Sequence, residues 1–226
     1  AHDDLLEPNF LQKTVPLLDA HPDAVIAHGR SLEIDANGHA KRNFDGNPVL
    51  SGDSPSQRFW SILWAEYYTE VFGLMRVDAI SRTRLHGSYP GSDRTFMAEM
   101  LLLGNVVYSR EVIFRRRAHP DAFVHSVRRA KDQQAWFDPT VRRRMPLFIT
   151  KTYHYWKAVG SLPMSPSDRW TCCLNIARWA GTRTAEVIWL RLCGNGRKTL
   201  PLPERIERRR LKTFGEEIML DQPDLD

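Results

Sequence analysis

The chain has 226 residues, 42% of them hydrophobic and 26% charged, with a formal net charge of +5. That length is ample for a buried core, and the balance excludes a disordered chain outside its ends, leaving one domain of good size or a domain with a helical appendage. Cys172, Cys173 and Cys193 lack zinc-ligand spacing and their odd number argues against a disulfide framework, so a reducing, cytoplasmic setting is expected; apolar runs such as AEVIWL fall far short of the ~20 residues of a membrane span.

In chain order, Pro8 fits the first turn of a helix in which Phe10, Leu11, Val15 and Leu18 recur at helical spacing, with a kink expected at Pro16. AVIAHGRSLEID is rich in β-forming residues and ends in DANG, a strand followed by a reversal. Lys41 to Asp53 has few apolar residues and reads as a loop. SPSQRFWSILWAEYY opens with a Ser-Pro helix signal and carries Phe59, Ile62, Leu63 and Glu66 on one helical repeat, and EVFGLMR reads as a short buried strand. A short helix is expected over VDAISRTRL and a loop over HGSYPGSD, which is dense in turn-forming residues. The next helix has Ser92 as its expected N-cap, Asp93 in its first turn, FMAEMLLL as its apolar face and Gly104 as its stop. NVVYSREVIFRRR reads as strand, turn, strand. From about Ala130 the chain turns helical, basic and rich in Trp, with helices expected in WFDPTVRRRMPLFITKTYHYWKAVG, in SPSDRWTCCLNIARWAG with Ser165 as cap and Pro166 in first position, and in TAEVIWLRLCG. The acidic tail EEIMLDQPDLD is expected to fray.

Arginine runs at 115–117, 142–144 and 208–210 imply anionic partners: nucleic acid, an acidic membrane surface and a nucleotide diphosphate all fit that charge. For the last two runs a solvated face is the simpler reading. Three features in the first 126 residues carry chemistry. HDDLLEP sets two carboxylates before a helix, where they could hold Mg²⁺ or Mn²⁺ through oxygen ligands or serve only as capping and surface charge. In YPGSDR, Asp93 sits at a helix start, where the dipole and free N–H groups favour an ionised carboxylate; this suits a general base and equally a plain stabilising role. IFRRRAHPDAFVHS runs a strand into three arginines and a histidine, and guanidinium groups bind phosphate oxygens bidentately. A strand alternates its side chains, so at most one or two of Arg115, Arg116 and Arg117 should reach one ligand.

The order of these features, with AHDDLLEPNFLQK followed by FGLMR, YPGSDRTFMAEMLLLG and FRRRAHP, resembles the inverting family 2 glycosyltransferases of GT-A type, in particular bacterial members that build surface polysaccharides. The resemblance covers roughly residues 1–126, and the helical remainder is similar to the C-terminal extensions of the same group. It implies an α/β fold of GT-A type, truncated at the N-terminus because the strands that bind base and ribose would precede Ala1, followed by an all-helical C-terminal segment. The implied division is 1–126 for the acceptor-side half of the catalytic domain and 127–226 for the helical extension. Activity of a chain lacking those strands is expected to be impaired.

Carried over by position, the resemblance implies Asp3 as metal ligand with Asp4 beside it, Mn²⁺ or Mg²⁺ as cofactor and Asp93 as catalytic base. Ala1 stands where the family has the first acid of its Asp-x-Asp motif, and Ser92 where it has glutamate before the base. Substrate contacts fall on His2, Asp4, Tyr89, Ser92, Arg94, Arg115, Arg116, Arg117 and His119. The implied partners are a nucleotide-diphosphate sugar donor and a glycan or lipid-linked acceptor, with peripheral association at the inner face of the membrane and no nucleic acid. Trp64, Tyr67 and Tyr68 could stack on sugar faces, although aromatics at helical spacing are more often core. The rival from another class is a basic, non-catalytic helical module binding nucleic acid or anionic lipid through the arginines and aromatics of the last hundred residues.

Overall fold

The computed structural model describes residues 3–43, 50–65, 67–118, 135–140 and 146–193. Its elements are β1 (Leu5–Leu6), α1 (Phe10–Ala20), β2 (Ala24–Ile34), β3 (Ala40–Asn43), α2 (Pro55–Trp64), a 3₁₀ turn (Glu70–Phe72), β4 (Leu74–Met75), α3 (Val77–Ser81), α4 (Ser92–Leu103), β5 (Asn105–Arg117), α5 (Leu147–Ser161) and α6 (Pro166–Cys193). Together they make an α/β architecture around a mixed five-stranded sheet of order β1-β5-β2-β3, with β4 also on β2. Parallel β2 and β5 form the centre; β1 lies antiparallel on β5, and β3 and β4 share the other edge of β2. The first six residues of β2 are all buried, as suits a strand covered on both faces.

Turn chemistry sets the hairpin after β2. The Asp35 carboxylate accepts the N–H groups of Asn37 and His39, and Gly38 takes a φ of 92° that favours glycine. Register then carries Arg42 opposite Glu33 and Asn43 opposite Leu32. Residues 41–43 are therefore strand, where composition suggested loop.

The expected turn inside NVVYSREVIFRRR is a bulge within one continuous strand. Gly29 pairs with Ser109 and Arg30 with Val112, so Arg110 and Glu111 loop out while the ladder to β2 continues on both sides. A Cβ at Gly29 would come within 2.8 Å of Ile113 Cγ1 and 2.9 Å of the Glu111 carbonyl, so backbone closeness demands glycine here. EVFGLMR also differs from expectation: it is a 3₁₀ turn and a two-residue, half-buried strand. The Gly73 N–H bonds the Glu70 carbonyl and closes the turn before β4 begins.

Two helix starts follow their Ser-Pro signals, while Pro8, expected in the first turn of α1, lies before that helix, which begins at Phe10. Ser54 accepts the Gln57 N–H ahead of Pro55, and Ser165 accepts the Asp168 N–H ahead of Pro166. In α4 the cap is Gly91, at φ 77°, and not Ser92, which is the first helical residue and is buried. α6 runs as one helix of 28 residues where two were expected. Gly181 interrupts nothing: no other group lies within 4 Å of its missing Cβ, and one glycine costs a helix only about 1 kcal/mol.

α1 covers one sheet face, with Leu17 and Leu18 against Ala27 and Val107. The main core lies on the other face. There Ile26 and Val106 meet Phe59 of α2, Met97 of α4, Tyr155 of α5 and Ile176 of α6 in one cluster. α5 and the first half of α6 thus complete the same core as the sheet. The Ser56 hydroxyl donates to Asp168 Oδ1 at 2.9 Å and ties the start of α6 to that of α2. Among the described residues no helix is long and apolar enough to cross a membrane. His2, Glu66, His119, the arginine runs at 142–144 and 208–210 and the acidic tail lie outside the described residues.

Candidate functional site

The short β1 ladder brings the N-terminal acids to the end of β5. Pairing of Leu5 with Arg115 and Leu6 with Phe114 sets Asp4 beside Arg117, whose backbone N–H donates to Asp4 Oδ1 at 2.8 Å. The Arg117 guanidinium donates to the carbonyls of Asp3 (2.9 Å), Asp35 (3.1 Å) and Ala36 (2.8 Å), and Arg115 pairs with Glu7. Strand alternation turns Arg116 to the opposite face. There its guanidinium carbon stands 4.8 Å from the centre of the Tyr67 ring. Burial pushes the Tyr67 phenol up to about 12 against the pull of Arg116, and Asp4 is among the charges acting on it.

Asp93 is the second residue of α4 and accepts the Tyr68 hydroxyl at 2.6 Å through Oδ2. Burial, then the charge of Asp93, raises the Tyr68 phenol far above its usual range. Arg94 lies over the same ring at 4.8 Å and donates to the carbonyls of Ile62 and Ala65, which pins the end of α2 to the start of α4. Tyr89 and Ser92 hold the loop before this helix. The Ser92 carbonyl accepts the Thr95 hydroxyl, which also bonds Tyr89, and the Tyr89 ring stacks on His154 with centroids 4.3 Å apart.

The two groups meet at consecutive residues. Tyr67 faces Arg116 on the Asp4 side and Tyr68 holds Asp93. The segment is fastened from below by a buried polar network that follows it in the chain. Glu70 accepts the Thr69 N–H at 2.8 Å and the Tyr108 hydroxyl at 2.9 Å, while the Thr69 hydroxyl bonds Ser31 and His28. Burial raises Glu70 to about 7, opposed by those hydrogen bonds, and lowers His28 to about 3.

The structure adds residues around Asp93 that sequence reasoning missed. Lys151 of α5 lies against Gly91: a Cβ there would stand 2.5 Å from its Cε and 2.7 Å from its Nζ. Burial, then the nearby Arg94, pulls Lys151 down to about 8, with Asp93 acting the other way. One turn on, Tyr155 is wholly buried, edge-on to Trp179 of α6 at 5.3 Å. Arg183 lies 5.8 Å from the ring centres of both Trp64 and Trp179 and donates to Glu186 at 2.7 Å. The Tyr155 hydroxyl and the Trp64 and Trp179 indole N–H groups are buried without a partner among the described residues. The i, i+4 spacing of Lys151 with Tyr155, and of Trp179 with Arg183, places each pair on one helix face. Nothing in that spacing says the faces converge on Asp93.

Among the described residues no group of three or more His, Cys, Asp or Glu is assembled for a metal. Asp3 and Asp4 still offer the kind of donor set that Mg²⁺ or Mn²⁺ accepts, because these ions are commonly held by one or two carboxylates completed by substrate phosphates. One Asp4 oxygen is already taken by Arg117. No protein-family model, curated protein or solved structure matches the chain.

Proposed function

We propose that the chain forms the acceptor-side half of an inverting glycosyltransferase of GT-A type, the intact protein moving a sugar from a nucleotide-diphosphate sugar to a glycan or lipid-linked acceptor hydroxyl in surface polysaccharide or glycan synthesis. The observation that carries this reading is the Tyr67–Tyr68 step, which joins the Asp4–Arg116 side and Asp93 through adjacent residues. A carboxylate base and a diphosphate-binding group must serve one substrate, and neighbouring positions on one segment meet that need.

Asp93 takes the acceptor hydroxyl proton as that oxygen bonds the anomeric carbon. The bond from this carbon to the diphosphate oxygen breaks on the opposite side, and the nucleoside diphosphate leaves with the electron pair. Tyr68, donating to one Asp93 oxygen, orients the carboxylate and leaves the other oxygen for the proton. Arg116, alone of the three arginines on the Tyr67 face, is the cation offered to the leaving diphosphate. Asp3 and Asp4 would hold Mn²⁺ or Mg²⁺, which when bound neutralises diphosphate charge. The protein works in the cytoplasm, at the inner face of the membrane.

Asp93→Asn in the intact protein is expected to lower sugar transfer from nucleotide-diphosphate sugars by about 10²- to 10⁴-fold in a variant that still folds. Near-normal turnover in a folded variant would refute the assignment.

One observation favours a second reading, a non-catalytic module for anionic lipid. Trp156 and Trp170 are exposed on α5 and α6, with basic Lys157 and Arg178 on the same two helices. Liposome flotation that needs these helices, with no nucleotide-sugar binding by the full chain, would favour that module.

A further inference from the structure

The main core ends, beside Asp93, in a group of side chains whose hydrogen bonding is one-sided. Three buried donors stand without an acceptor among the described residues: the Tyr155 hydroxyl and the indole N–H groups of Trp64 and Trp179. An unpaired buried donor costs about 1–3 kcal/mol. Lys151 adds an ammonium with three more donors and makes no ion pair among the described residues. The other cations nearby are engaged. Arg94 holds the carbonyls of Ile62 and Ala65, and Arg183 holds Glu186. The nearby carboxylates are engaged as well, Asp93 by Tyr68 and Glu186 by Arg183.

Two deficits coincide: acceptors for buried donors, and negative charge for a desolvated ammonium. Water could supply the first and not the second. A carboxylate brings two oxygens, whereas a phosphate group brings three or more acceptor oxygens with one to two charges. The four helices supply the site jointly, Trp64 from α2, Asp93 and Arg94 from α4, Lys151 and Tyr155 from α5, Trp179 and Arg183 from α6.

We propose that Lys151 and Tyr155, with Trp179 and Arg183 beside them, form an oxyanion site that takes a phosphate group. Its place next to Asp93 assigns that phosphate to the acceptor, a step that rests on the glycosyltransferase reading; the binding itself does not. The acceptor is then a phosphate-bearing molecule whose hydroxyl is brought to Asp93 while its phosphate is held by α5.

The test uses the full chain with ¹³C-labelled lysine, the Lys151 signal being assigned by its loss in Lys151→Arg. Its titration midpoint is followed in inorganic phosphate and in chloride of equal ionic strength. Bound phosphate raises the midpoint, because an adjacent anion stabilises the ammonium; equal midpoints overturn the proposal. In calorimetric titrations Lys151→Gln should weaken phosphate binding about ten- to a hundred-fold, and Tyr155→Phe about three- to ten-fold. Both variants keep the shape of the core, and their melting curves confirm folding. Unchanged phosphate affinity in the two folded variants also overturns it. A soluble sugar phosphate and vesicles containing phosphatidate distinguish the source of the group. Lys151-dependent capture of vesicles assigns a lipid-borne phosphate, and dependence confined to the sugar phosphate assigns a soluble one. Lys151-dependent phosphate binding together with full sugar transfer by Asp93→Asn would keep this site and remove the enzymatic reading.

Discussion

The edge formed by β1 and β5 and the helix junction around Asp93 are both dense in charge, yet they use it in opposite ways. At the edge Arg115 has Glu7, Arg116 has Tyr67, and Arg117 has three carbonyls and, through its backbone, Asp4. At the junction Lys151, Tyr155, Trp64 and Trp179 hold polar atoms that nothing in the chain completes among the described residues. Charged residues that are conspicuous in sequence can already be held by partners within the chain. Residues with no motif around them can be the ones left waiting for a ligand.

Four changes would sharpen or break this contrast. Glu70 has the largest expected effect, because it is a buried carboxylate with hydrogen bonds but no facing cation among the described residues. Its folded pKa of about 7 exceeds the ordinary 4.5, so the fold binds the proton more tightly than the unfolded chain. Stability should therefore fall by on the order of 3 kcal/mol as pH rises from about 4.5 through about 7, and Glu70→Gln should flatten that slope in denaturant titrations. Lys151 comes next. Its folded pKa of about 8 lies below the ordinary 10.5, so its penalty is present below pH 8 and is relieved between about 8 and 10.5. Lys151→Met should raise neutral-pH stability by about 1–3 kcal/mol.

The edge should respond with the opposite sign. Arg117→Ala, which strips three carbonyls of a charged donor, should lower stability by about 1–2 kcal/mol by chemical denaturation. Arg115→Ala should change it by less than about 1 kcal/mol, since its pair with Glu7 is partly solvated. If Lys151→Met destabilises the protein as Arg117→Ala does, the contrast between the two regions fails.

What could be read from the sequence was governed by local chemistry. Ser54-Pro55, Ser165-Pro166 and the DANG reversal mark element ends because their hydrogen bonds reach only a few residues away. Alternation along β5 likewise foretold that the three arginines would separate, with Arg116 facing away from its neighbours. The misreading of β5 arose where a distant partner overrides local preference. β5 passes through Ser109–Glu111 without turning because β2 holds it on both sides. Gly91 takes the cap from Ser92 through a left-handed turn, and α6 crosses Gly181 because no local signal is strong enough to stop it. Asp93 was legible as a candidate from its place at a helix start. Its surroundings, Tyr68 from 25 positions earlier and Lys151 from far later in the chain, come from tertiary packing that no local spacing encodes.

Gly91 carries a consequence for how the protein can vary. Its φ of 77° alone disfavours a side chain, and the Cε and Nζ at the tip of Lys151 lie where a β-carbon would stand. A side chain at 91 would push the Lys151 ammonium away from the start of α4. The loop that presents Asp93 and the position of the Lys151 charge are therefore linked through the side chain that residue 91 lacks.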